Sequence, residues 1–328
     1  MTTTTTTRRA LIAAGLMTPA IARAQAVWSP DRPVRIIIPF AAGGASDVLA
    51  RSAAERLMTT MGRSVIVEPR PGAGGNLGAE AAARAPADGH TIFFGGMSSN
   101  AINEALYNRL SFDPGRDLVP LGMFIGIANV LMINPAKRDF VDLNAMLSEA
   151  RAKPGTLAYG SNGAGSVTHL TMELLKRAAG GIDLLHVPYR GSGPAAAGLM
   201  AGDITMMFDG APSAIQQIRG GTLKPLGVST AKRVAALPEV PTLAEAGVPG
   251  FDVPSWYAMF APAGMPEPAQ RRWRMELAAL CRDPAFVSVL DRNAAEYMAL
   301  EGDAMEPFLA GERTRWKQAV QDSGAKVD

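Results

Sequence analysis

From residue 34 onward, short apolar runs alternate with segments of helical periodicity. Val34-Arg-Ile-Ile-Ile38 reads as a strand, and the apolar spacing over 48–58 reads as a helix. Between them lies Phe40-Ala-Ala-Gly-Gly-Ala-Ser-Asp47, a turn made almost entirely of small residues. The same unit recurs twice. Strand 65–67, turn 71–76 and helix 77–84, stopped by Pro86, form the second. Strand 91–94, turn 95–99 and a helix around 101–110 form the third, with Ile102 and Leu106 one turn apart. Three strand–turn–helix units in a row predict a parallel sheet with right-handed crossovers.

A second set follows the long apolar run 121–133, which has no helical period and reads as one strand leaving the first set. Leu143, Met146, Leu147 and Ala150 give a helix face, 156–159 a strand and 161–166 a turn; Val167, Leu170 and Leu174 mark the next helix. Strands at 184–189, 204–209 and 226–229 and a helix at 194–200 complete the set. A Pro-rich connector with a short helix spans 237–250, and the extended run 251–262 returns toward the first set. Helices at 268–280, 284–291 and 305–322 close the chain. The pattern predicts two α/β lobes joined by two extended crossings, with a site between the lobes at the carboxyl ends of the strands.

Composition narrows the class. A chain of 328 residues, 48% hydrophobic and 19% charged, has the material for two domains with a full core. Arg8-Arg9, an apolar stretch at 10–22 and the small-x-small triplet Ala22-Arg-Ala24 make an export signal. Cleavage is expected after Ala24, through either the general secretory or the twin-arginine route. Without its three arginines the 32 basic residues become 29 against 30 acidic, so the mature chain is near neutral. A near-neutral body argues against nucleic acid as a partner. The lone Cys281 excludes an internal disulfide and sits in a helical pattern as a packing residue.

The turn 40–47 opens a helix with bare backbone, so its free N–H groups at the positive end of the helix dipole form a candidate anion site. It lacks the Gly-Lys-Ser/Thr ending of a phosphate loop. The glycines at 72, 74, 75 and 78 miss the dinucleotide spacing, and strand 91–94 ends in Gly-Gly instead of an acid. Neither 161–166 nor 191–193 has the glycine spacing of a nucleophile elbow, and His90, His169 and His186 share no metal-ligand spacing. No metal or cofactor is expected. What remains is a pair of small-residue turns, 41–47 and 161–168, each opening a helix in a different lobe and able to close on one anion without an arginine.

The ordered set of motifs resembles the Bug/TctC receptors, the solute-binding proteins of tripartite tricarboxylate transporters. It runs through 32–47, Glu68-Pro-Arg-Pro-Gly-Ala-Gly-Gly-Asn76, Pro86-Ala-Asp-Gly-His-Thr91, 110–117, Ser161-Asn-Gly-Ala-Gly-Ser-Val-Thr-His169, His186-Val-Pro-Tyr-Arg-Gly191, 200–209 and 237–247. The resemblance implies an α/β, two-lobed type II periplasmic binding protein fold with two crossovers. Lobe 1 would comprise 25–126 plus 253–328, and lobe 2 127–252. It further implies that Phe40, Ala42, Gly43, Gly44, Ser46 and Asp47 grip a ligand carboxylate, largely through backbone amides. Asn162, Gly163, Ser166, Thr168 and His169 would close from the other lobe. The position of Asp209 faces the ligand and suits the ammonium of an amino acid. Ser98 and Ser99 lie at another strand end, and Trp256 either walls the pocket or fills the interlobe core. The function implied is periplasmic capture of a small carboxylate (a di- or tricarboxylate, an acidic amino acid or an aromatic carboxylate) by a monomer. Membrane components of a transporter or the ectodomain of a sensor would be its partners. The rival reading is an α/β enzyme acting on a carboxylate, with Asp47, His169 and Asp209 in the cleft.

Overall fold

The computed structural model describes residues 1–2, 28–323 and 327; the expected export signal lies outside them. The first lobe begins with β1 (Val34–Ile38), whose isoleucines are buried, and α1 (Ala45–Met61), which ends at Gly62 in the left-handed conformation (φ 65°). It continues with β2 (Val65–Pro69), α2 (Asn76–Ala83) and β3 (Thr91–Gly96). The helix expected around 101–110 is shorter. Ser98–Ile102 forms a π turn and α3 (Asn103–Leu106) ends at Tyr107, whose backbone turns extended while its hydroxyl donates to Ala164 O across the cleft at 2.8 Å.

The apolar run 121–133 is two strands, not one. β4 (Leu118–Ile127) and β5 (Asn129–Ile133) part at Ala128, because β4 pairs in one sheet and β5 in the other. Lobe 2 continues with α4 (Leu143–Ala152), capped by Asp142, then β6 (Ala158–Ser161), α5 (Val167–Ala178) and β7 (Leu185–Pro188). Next come α6 (Ser192–Ala201), β8 (Met206–Gly210), α7 (Ala211–Arg219) and β9 (Lys224–Val228). Helix α7, not expected from the sequence, starts immediately after a strand with Pro212 in its first turn. The short helix expected in 237–250 is a single turn: Thr242 and Glu245 cap each other reciprocally, and Gly247 (φ 115°) then turns the chain away.

The chain returns through β10 (Ser255–Pro262), α8 (Glu267–Arg282), α9 (Pro284–Arg292), β11 (Ala295–Tyr297) and α10 (Met305–Ser323). Two sheets result, ordered β11-β4-β10-β3-β1-β2 and β7-β6-β8-β5-β9. In the first, β1 runs parallel to β2 and β3, while β10 runs antiparallel between β3 and β4. The two crossings are fastened to each other. Asn129 and Ser229 exchange main-chain and hydroxyl bonds, and Ser229 Oγ donates to Val253 O at 2.8 Å. One core cluster runs from Phe93, Phe124 and Trp256 in the first sheet to Leu131, Tyr159 and Phe208 in the second. The outer faces pack separately, under α1 and α8 in lobe 1 and under α6 and α7 in lobe 2. Cys281 is buried, and burial pushes its thiol up to about 12.

Candidate functional site

The lobes meet over a partly open cavity of about 20 Å³, space for roughly one water-sized group. Lobe 1 contributes Phe40, the end of β3 and the turn after it (Gly96, Met97, Ser98, Ser99), and the start of β10 (Ser255, Trp256, Tyr257). Lobe 2 contributes Asn162, the first residues of α5 (Ser166, Val167, Thr168) and Gly210 at the end of β8; Asn129 comes from the crossing. Among the described residues, no Lys, Arg, Asp, Glu or His lines it. Contacts across the cleft hold the lobes together. The Val167 N–H donates to Ser98 Oγ at 2.9 Å, and the Ala41 N–H donates to Arg190 O at 3.4 Å.

The lobe 2 turn is tied by its own side chains. Ser166 is the N-cap of α5 and its Oγ accepts the His169 N–H. Thr168 Oγ1 accepts the Asn162 N–H at 2.9 Å. From behind, His169 Nδ1 accepts the Gly165 N–H at 3.2 Å, and Ser161 Oγ accepts the Gly163 N–H while bonding His186 Nε2 at 2.7 Å. The two imidazoles stack at 4.1 Å, and His186 stacks in turn on Tyr159 at 4.8 Å. Burial lowers both histidines, His186 to about 4, so they stay neutral and His169 keeps the lone pair it needs as an acceptor. Ser161 and His186 have the reach of a nucleophile and its base, a pair the sequence did not reveal. Ser161 is fully buried behind the turn and does not border the cavity.

The lobe 1 turn is built differently. Gly44, the N-cap of α1, makes no side-chain cap bond. Asp47 supplies the negative charge itself: its Oδ2 accepts the Gly43 N–H at 3.0 Å and its Oδ1 pairs with Arg51 at 2.8 Å. Of the six residues expected from this turn, only Phe40 lines the cavity; Ala42, Gly43, Gly44, Ser46 and Asp47 do not. Ser98, Ser99, Asn162, Ser166, Thr168 and Trp256 do, whereas Gly163 and His169 lie one layer behind.

Asp209 also lies outside the lining. Its carboxylate receives Ser192 Oγ, the Gly210 N–H at 2.8 Å, Ser213 Oγ at 2.6 Å and the Asn162 side chain. Burial nevertheless outweighs these donors and raises the carboxyl to about 6. For Trp256, considered in two roles, the packing contacts lie within lobe 1. It borders the cavity, while its Nε1 donates to buried Glu312 of α10 at 2.7 Å and its rings pack on Phe124 and Phe308. Asp47, His169 and Asp209 each have separate partners and form no common constellation.

Gly96, Met97, Asn129, Val167, Gly210, Ser255 and Tyr257 line the cavity but were not expected from the sequence. Asn129 carried a readable signal, as a lone amide inside the apolar run 121–133. Tyr257 and Gly210 follow a residue already singled out and needed only the register of their strands, which puts Gly210 opposite Asn129.

With this geometry in place, comparisons with known proteins converge. A family model described as "Tripartite tricarboxylate transporter family receptor" matches residues 49–325. Protein BugT of Bordetella pertussis is 33% identical over 300 residues, covering 91% of each chain. R. palustris Rpa4515, solved with adipate, superposes with a TM-score of 0.87 at 32% identity, covering 91% of this chain and 99% of that one. MatC of Rhodopseudomonas palustris, solved with malate, gives 0.83 at 29% identity, covering 89% and 99%. The chain therefore belongs to the Bug/TctC family of tripartite tricarboxylate transporter receptors.

Proposed function

We propose that this protein is an extracytoplasmic receptor that captures a small carboxylate between its lobes and presents it to the membrane components of a tripartite transporter. The observation that carries the reading is the cavity itself. It lies between the two lobes, is bordered by the first turn of α5 and by serine and threonine residues, and among the described residues no charged side chain lines it. The N-terminus of a helix favours an anion, and neutral donors hold a carboxylate without neutralising it permanently. Family relatives solved with adipate and malate support the same ligand class. A space of about 20 Å³ is far smaller than any such ligand, so loading requires the lobes to part. We place the hinge at 127–129 and 229–254, where only two crossings connect the sheets, with lobe 1 as 25–126 plus 253–328 and lobe 2 as 127–252. Segment 1–24 is assigned as the export signal, and N-terminal sequencing of exported protein should begin at Gln25.

The test is a thermal-shift panel of di-, tri-, hydroxy-, amino- and aromatic carboxylates. A ligand at 100 times its Kd stabilises the folded state by about 2.7 kcal/mol. A clear shift for at least one carboxylate and none for matched amides is expected. No shift across the panel, with no carboxylate released from the purified protein on denaturation, contradicts the reading.

A further inference from the structure

Outside the cavity the lobes meet on bare backbone. In one patch the lobe 1 residues 41–45 face the lobe 2 residues 190–193 and Gly210. The Ala41 N–H reaches Arg190 O at 3.4 Å. A side-chain carbon added to Gly191 would lie 2.9 Å from Ala41 N, and one added to Gly210 would lie 2.8 Å from Ala45 Cβ. In a second patch Gly74 faces 164–165. A carbon added to Gly74 would lie 2.6 Å from Ala164 O, the atom that accepts the Tyr107 hydroxyl. Of these residues only Gly210 borders the cavity.

Most of these glycines have a second reason to be glycine. Gly74 and Gly191 sit at φ 61° and 134°, where a side chain is strained. Gly44 and Gly210 are helix N-caps, a position glycine fills well. Gly193 has neither reason. It lies in the first turn of α6, outside the left-handed region, and glycine inside a helix is destabilising relative to alanine. A carbon added there would stand 3.0 Å from Ala42 O, across the cleft. That is closer than non-bonded heavy atoms pack at their optimum. The atom it meets is main chain, in the turn whose Gly43 N–H is bound by Asp47, and not the tip of a side chain that can swing aside.

We infer, on the hinged-receptor reading above, that the lobes close by seating the start of α6 against the 41–45 turn, and that Gly193 sets how far they close. A captured carboxylate is gripped from both sides only when that approach is complete. Gly193 is therefore a positioning residue that governs affinity from outside the cavity.

Closure is read by disulfide trapping in the full chain, with no carboxylate added. A carbon added to Gly44 would stand 3.3 Å from Ser192 Cβ, near the separation of about 3.5–4.5 Å that a disulfide needs. Gly44→Cys with Ser192→Cys should then oxidise to a bridge between the lobes, and the native Cys281 is buried away from it. Adding Gly193→Leu should slow that oxidation about tenfold or more, and Gly193→Ala by less, because overpacking penalises only the closed arrangement. Gly311→Leu, whose first added carbon meets nothing within 4 Å, should leave the rate unchanged. No bridge in the parent pair, or a rate that Gly193→Leu leaves within about twofold, overturns the inference. If the cysteine pair does not fold, small-angle X-ray scattering of Gly193→Leu alone decides. A larger radius of gyration than wild type is expected, and an equal one overturns the inference. Slowed trapping supports the seam even where the carboxylate panel fails, and unslowed trapping overturns it even where the panel succeeds. For whichever of succinate, citrate and benzoate the wild type binds, Gly193→Leu should bind about tenfold more weakly, and equal affinity overturns the role given to Gly193.

Discussion

Two turns in this molecule look alike in sequence, and they do different work. Both 40–47 and 161–169 join a strand to a helix through glycine, alanine and serine. In lobe 1 the helix has no side-chain cap, and Asp47 answers the dipole by accepting the Gly43 N–H. In lobe 2 the helix is capped by Ser166, and Thr168, Ser161, His169 and His186 each hold a group of the turn. One turn has its Gly43 N–H accepted by its own Asp47 and gives the cavity a single residue, Phe40. The other gives it Asn162, Ser166, Val167 and Thr168. A binding surface keeps its geometry when other side chains fix it. Small residues make an anion site available; whether they become one depends on what already occupies the donors.

The comparison breaks most visibly at Asp209, which ties the α6 and α7 starts to Asn162. Asp209→Ala strands four buried donors and should cost about 3 kcal/mol or more in urea unfolding, because bonds to a charged group are strong and orphaned donors are penalised. A loss below about 1 kcal/mol would mean that lobe 2 does not depend on this network.

The same lobe should carry two opposing pH responses. Asp209 titrates near 6 in the folded chain against an ordinary 3.8, so its contribution is fully present below 3.8 and is lost as pH rises through about 6. His186 titrates near 4 against 6.5, so its contribution is present above 6.5 and is lost as pH falls through about 4. Relative to wild type, His186→Asn should therefore gain stability as pH falls from 6.5 toward 4, and Asp209→Asn should lose it as pH falls from 6 toward 4. Denaturant unfolding across that range reads both. Parallel curves for all three proteins would show that neither group sets the pH response.

Smaller effects sharpen the contrast between the turns. Ser166→Ala removes a helix cap and should cost about 1 kcal/mol. Gly43 sits at φ 87°, and a side-chain carbon added there would meet nothing within 4 Å, so Gly43→Ala should cost about 1 kcal/mol from backbone strain alone. Thermal unfolding distinguishes both from no change.

The alternation of strands and helices, and the two crossings, were legible because each rests on local periodicity. What the sequence hid depends on pairing partners. The run 121–133 looks like one strand because every residue but Asn129 and the glycines is apolar or small; only sheet membership breaks it at Ala128. Helix α3 falls short of 101–110 because Tyr107 is pulled across the cleft to Ala164. At the site, Ser98, Ser166 and Thr168 were legible as hydroxyls at element ends. Asp47 and His169 were expected near the ligand through the family resemblance, and the bonds they make to the Gly43 and Gly165 N–H groups are visible only in three dimensions.

The most direct test is isothermal titration of the tightest carboxylate from the panel against Ser166→Ala and Gly43→Ala side by side. If the lobe 2 turn is the one that holds the ligand, Kd should rise about tenfold or more for Ser166→Ala, equal to losing roughly 1.4 kcal/mol at the cavity, and clearly less for Gly43→Ala. The reverse order, with the lobe 1 variant losing more, would contradict it.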